Sequence, residues 1–127
     1  MSDQLTGMRA YETFNLRDVV AQYPPDPDSA ARHRAEILVK SDTLRVVLVT
    51  AISGGALNPH AAPGPITIHV IEGSFAISAG GEQQTLSADE VMIMAPGVEH
   101  GVECVEDGAF LLTIAHLSRV PDTGGDT

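Results

Sequence analysis

ITIHVIE (Ile66 to Glu72), SFAIS (Ser74 to Ser78), EQQTL (Glu82 to Leu86), VMIM (Val91 to Met94), GVECV (Gly101 to Val105) and AFLLTIAHL (Ala109 to Leu117) follow one another along the chain, each bounded by Gly, Pro, Asp or Ser. Short runs of β-type residues at this spacing, with turn residues between them, predict a β-sandwich or barrel. Upstream, AEILVK (Ala35 to Lys40) and LRVVLVTA (Leu44 to Ala51) are rich in β-branched residues, and the turn-forming Ser41-Asp42-Thr43 between them predicts a paired set of strands. No long helical period intervenes, which argues against a parallel βαβ sheet.

Ahead of the strands, NLRDVVAQ (Asn15 to Gln22) sets a capping asparagine before Leu16, Val19 and Val20, and predicts one or two helical turns. Tyr23-Pro24-Pro25-Asp26-Pro27-Asp28 then reads as an extended surface connection, because proline fixes its own backbone angle and keeps the preceding residue out of the helical region. The chain therefore divides into an N-terminal arm with a short helix (1–34), a barrel (35–118) and a polar tail (119–127). At 127 residues there is room for one domain, and a composition of 43% hydrophobic and 19% charged residues is that of a globular chain.

Seven basic against 17 acidic side chains give a formal net charge of -10, which disfavours phosphate backbones and anionic lipid. No nucleic-acid and no membrane partner is expected. The first residues lack a charged stretch followed by an apolar core, and no apolar run approaches the ~20 residues of a membrane span. The single cysteine, Cys104, excludes an intrachain disulfide framework and fits a reducing compartment, so the expected location is cytoplasmic.

Two histidines stand beside Pro/Gly punctuation. His60 lies between Gly54-Gly55 with Pro59 and the stretch Ala61-Ala62-Pro63-Gly64-Pro65; His100 follows Ala95-Pro96-Gly97. Placed at strand entries, they are expected to converge at one end of the barrel, where loops on a rigid scaffold carry polar groups. Strand alternation adds that if Ile66 points inward, Ile68 and Val70 do too and His69 points out. From His100, the same parity turns Val102 and Cys104 inward.

The order of these residues resembles the cupin family, small β-barrels of the double-sheet jelly-roll type. The counterparts of its first motif are Gly54, His60, Ala62, Ile66 and Gly73, and those of its second are Asp89, Ala95, Gly97, His100 and Cys104, with Pro96 serving the displaced proline turn. The resemblance implies an all-β jelly-roll barrel and a homodimer. The family's metal is held by three histidines and a glutamate. Here His60 and His100 keep two of those positions, while Ala62 and Ile66 offer no lone pair.

The cofactor reading stays open between a divalent transition metal (iron, manganese, nickel or zinc) on His60 and His100 and none at all. Cys104 is the better candidate for a third donor, although a buried thiol is more often a small hydrophobe. His69 and His116 are read as surface or interface residues, His33 has no motif, and Met92 and Met94 are read as core or pocket lining. The expected pocket is His60, Ala62, Ile66, Ile68, His100 and Cys104. Neutral imidazoles above an apolar floor suit either the orientation of a small organic molecule or acid/base chemistry.

The leading expectation is a cupin that binds a small organic molecule with an incomplete metal site. A metal-dependent oxygenase, isomerase or cyclase using His60 and His100 is the alternative, and a purely structural domain the third. Whether the chain is an enzyme is left open, since this fold hosts many chemistries.

Overall fold

A computed structural model describes residues 9–116. Its one helix among them, α1 (Leu16–Gln22), starts as the sequence predicts: the Asn15 side chain accepts a hydrogen bond from the Asp18 N–H at 3.0 Å. Seven strands follow: β1 (His33–Lys40), β2 (Leu44–Ala51), β3 (Ala56–His60), β4 (Ile66–Ala79), β5 (Glu82–Ser87), β6 (Val91–Met94) and β7 (His100–Ala115). All pair antiparallel.

Two long strands shared between two layers organise the molecule. The first half of β4 and the second half of β7 pair with each other and complete one layer in the order β1-β2-β7-β4-β6. Their other halves pair again in a second layer, β3-β7-β4-β5. This is the double-sheet jelly roll that the family resemblance implies, within the sandwich-or-barrel class that the strand rhythm predicts.

Three details differ from the sequence reading. The runs 66–72 and 74–78 are one strand, β4, and the runs from 101 and 109 are one strand, β7, because Gly73 and Gly108 are crossing points rather than turns. A Cβ on Gly108 would collide with the Glu72 carbonyl, and one on Gly73, whose φ is +77°, with the Asp107 carbonyl. Only glycine lets the two backbones pass this closely as both strands bend from one layer to the other. The third detail is an additional strand, β3, which places His60 at a strand's end rather than at an entry. The first strand, β1, starts at His33, and residues 117–127, which include the expected tail, lie outside the described residues.

Inward-facing Val47, Val49, Ile66, Ile68, Val70, Phe75, Ile77, Leu86, Met94, Val102 and Phe110 fill the space between the layers. Phe75 meets Phe110 edge to face, with centroids 5.0 Å apart. Outside, Val19 of α1 packs on Leu48 and Ala109, and Thr50 Oγ1 donates to the Tyr23 carbonyl at 2.7 Å, tying the arm to β2. Among the described residues no helix is long and apolar enough to cross a membrane.

Candidate functional site

Because β4 and β7 both bend midway, their first and last residues lie at one end of the molecule, which is the open end. Two loops span that end from layer to layer, 61–65 between β3 and β4 and 95–99 between β6 and β7, and the Gly97 N–H donates to the Ala62 carbonyl at 2.8 Å. This junction brings His60 and His100 together as direct partners in the β3–β7 ladder. Their ring centroids are 4.4 Å apart and their planes are tilted by 56°. His100 is buried at 4% exposure, whereas His60 stands at the surface.

The two rings are held in the same way. His60 Nδ1 lies 3.0 Å from the Asn58 carbonyl and His100 Nδ1 lies 3.1 Å from the Val98 carbonyl. A carbonyl oxygen can only accept, so each Nδ1 carries the proton and donates it. A ring that carries no second proton then has its lone pair on Nε2. Nothing in the sequence signals these two bonds, since they depend on the backbone path two residues before each histidine.

The remaining expected pocket residues divide by depth. Ala62 sits on the loop beside the histidines, and Ile66 joins Ile114 and Met94 in an apolar row just inside the open end. Ile68 and Cys104 belong to the packed core, at 1% and 2% exposure. The expected parity holds: Val102 and Cys104 turn inward with His100, and His69 turns outward, where its ladder partners are Val91 and Leu111. Met94 is core and Met92 packs against it.

Cys104 does not join the histidines. It lies four residues beyond His100, about 13 Å along an extended strand, and its Sγ–H donates to the Glu106 carbonyl at 3.1 Å near the closed end. Burial pushes its thiol above the ordinary 9.0, the charge of Asp107 adds to the rise, and a backbone hydrogen bond from Gly108 opposes it. His116, expected in a surface or interface role, is half-buried and shares the inward parity of Leu112 and Ile114. Among the described residues no three His, Cys, Asp or Glu side chains are placed to hold a metal ion. Two imidazoles with Ala62 and Ile66 beside them do not make up the three or four protein ligands of a divalent transition-metal site.

A cleft of about 190 Å³ lies between Ile77, Ala79, Glu82, Gln84 and Met92, and Ala79 is the direct ladder partner of His100. A larger cleft of about 420 Å³ lies at the closed end between α1, the prolines at 24, 25 and 27, and Gly108. Neither cleft is lined by a histidine. His60 and His100 stand together at the other end, beside the smaller cleft.

The family model for the cupin domain matches residues 47–116, 70 of the 127 residues. The chain belongs to the cupin domain family. Among solved structures this cupin is similar to an RmlC-like cupin protein from Desulfovibrio desulfuricans, with 28% identity and a TM-score of 0.61 over 66% of this chain and 82% of that one. It also resembles a cupin 2 conserved barrel domain protein from Leptotrichia buccalis, with 25% identity and a TM-score of 0.70 over 81% of this chain but 47% of that one. KdgF from Halomonas sp. shares the fold at 19% identity, with a TM-score of 0.62 over 80% and 94% of the two chains. No curated protein matches the sequence.

Proposed function

We propose that this cupin binds a small organic molecule at the open end of its barrel, oriented by the Nε2 lone pairs of His60 and His100. The observation that carries the reading is the shared tautomer: both Nδ1–H groups are spent on backbone carbonyls, so both rings present acceptors 4.4 Å apart between centroids. A molecule that offers hydroxyl or N–H donors satisfies them, and the apolar row of Ile66, Ile114 and Met94 takes its carbon body. The adjoining cleft, at about 190 Å³, suits a ligand smaller than a typical drug.

A metal-dependent enzyme using His60 and His100 is the second reading. The same hydrogen bonds favour it, because metal-bound imidazoles also give their other N–H to a backbone carbonyl. It requires donors that the described residues do not supply. Elemental analysis of protein purified without tag or chelator, and again after incubation with iron, manganese, nickel and zinc salts, separates the two. The binding reading predicts protein free of stoichiometric metal whose small-molecule affinity falls in both His60→Ala and His100→Ala. Near-stoichiometric metal abolished by both substitutions overturns it.

The homodimer expected of the family finds a fitting surface on the outer face of the larger layer. Val46, Thr113, Thr67 and Ile93 form one uncharged row across four strands, and Ile93 is 71% exposed. In a chain of net charge -10, an uncharged face is where a second copy meets the least repulsion.

A further inference from the structure

Directly inside the open end, Lys40, Arg45, Ile114, Ile66 and Met94 are successive ladder partners across the five strands of the larger layer. Partners in a ladder share a face, so Arg45 points to the same inner side as the core residues Ile66 and Met94. Its Nε is buried without a hydrogen-bond partner. The single ion pair among the described residues joins Arg34 to Glu36, so no carboxylate of the described chain compensates Arg45. One further buried nitrogen lacks a partner, and it is His116 Nε2.

The two belong together. The His116 N–H donates to the Thr43 carbonyl at 2.8 Å, which continues the β2–β7 ladder past Leu44 and Ala115 and makes His116 the diagonal neighbour of Arg45. Diagonal neighbours stand roughly 7–8 Å apart at their Cα atoms, within reach of long side chains. A buried guanidinium N–H without an acceptor is costly, and a native fold keeps one where something else fills the gap.

We infer that Arg45 and His116 form the carboxylate-binding half of the open-end site, and that the ligand is a small organic acid carrying a second hydrogen-bond donor for His60 and His100. This rests on the ligand-binding reading above. The Nε–H and an adjacent amino group of a guanidinium form a planar fork that matches a carboxylate. His116 donates from Nε2 to the same group. Arg45 lies in one layer and the histidine pair in the other, and packed sheets stand roughly 10 Å apart, so a molecule with its acid and its donor at opposite ends bridges the mouth. One guanidinium with apolar Ile66, Ile114 and Met94 beside it suits a singly charged acid with a carbon body better than a phosphate.

Titration of the full chain with 4-hydroxybenzoate, benzoate and 4-hydroxybenzamide, followed by calorimetry and by the ring resonances of His60, His100 and His116, tests this. 4-Hydroxybenzoate is expected to bind most tightly. Arg45→Gln weakens both acids at least tenfold and leaves the amide unchanged, while His60→Ala and His100→Ala weaken the two phenols and leave benzoate unchanged. Thermal midpoints control for folding. Arg45→Lys, which keeps the charge and loses the fork, repeats the test if Arg45→Gln does not fold, and is expected to weaken the acids as well. Benzoate that binds the folded Arg45 variants as well as wild type overturns the carboxylate assignment, as does failure of both acids to bind wild type or tighter binding of inorganic phosphate. Acids lost with Arg45 but insensitive to both histidine substitutions leave the Arg45 site standing and overturn the role of His60 and His100.

Discussion

At His100 one ring nitrogen bonds the backbone and the other is assigned to the proposed ligand, and substitution can separate them. Asparagine places an amide N–H near the position of Nδ1 and has nothing at Nε2. His100→Asn is therefore expected to keep the bond to the Val98 carbonyl and lose ligand affinity at least tenfold, with a thermal midpoint close to wild type. His100→Ala strips the same bond from a buried position and is expected to cost on the order of 1 kcal/mol more in denaturant unfolding. Cys104 gives a pH prediction of definite sign. Its thiol is raised on folding, so the folded state binds the proton more tightly; that stabilisation is complete below the ordinary 9.0 and is lost as pH rises through the folded value. Denaturation midpoints of wild type and Cys104→Ala should diverge in pH dependence only on the alkaline side, and native Cys104 should resist thiol reagents at pH 8. Arg45 was open to detection in the sequence, since in LRVVLVTA it shares parity with the inward Val47 and Val49. That signal was hidden because a cation in a strand reads first as an exposed position.

Among the elements, the glycine crossing of β4 and β7 bears the architecture. Gly108→Ala puts a methyl group against the Glu72 carbonyl and is expected to cost on the order of 2–4 kcal/mol, measured by denaturant unfolding, whereas Asn15→Ala at the cap of α1 should cost about 1 kcal/mol. The strands themselves were legible because period-two alternation survives in Ile66, Ile68 and Val70 and in Val47 and Val49. Their continuity was not, because glycine reads as a turn in sequence and acts here as a point of close approach. β3 was missed for a related reason: Pro59 argues against a strand, yet β3 lies at a layer's edge, pairing with β7, and an edge strand tolerates the missing donor. The convergence of His60 and His100 was legible from the Pro/Gly punctuation beside each, while their orientation depended on loops 61–65 and 95–99.

For the whole molecule, charge and fold act together. A net charge of -10 leaves few surfaces on which two copies can meet, and the uncharged row ending at Ile93 is one of them. Ile93→Lys is expected to shift sedimentation from dimer to monomer without loss of the fold, and an unchanged sedimentation coefficient would place the interface elsewhere. Ala62 and Ile66 stand where the family has metal ligands, so the same scaffold carries a different set of side chains at that end of the barrel. The most direct measurement is an imidazole ¹⁵N spectrum of His60 and His100 at pH 8, above the ordinary imidazole range, recorded on the free protein and while small molecules bearing hydroxyl groups are titrated in. Protonated Nδ1 and unprotonated Nε2 are expected in both rings, with both Nε2 resonances moving together as ligand saturates the mouth. A proton on Nε2 of either ring, or binders that leave both rings unmoved, would contradict this expectation.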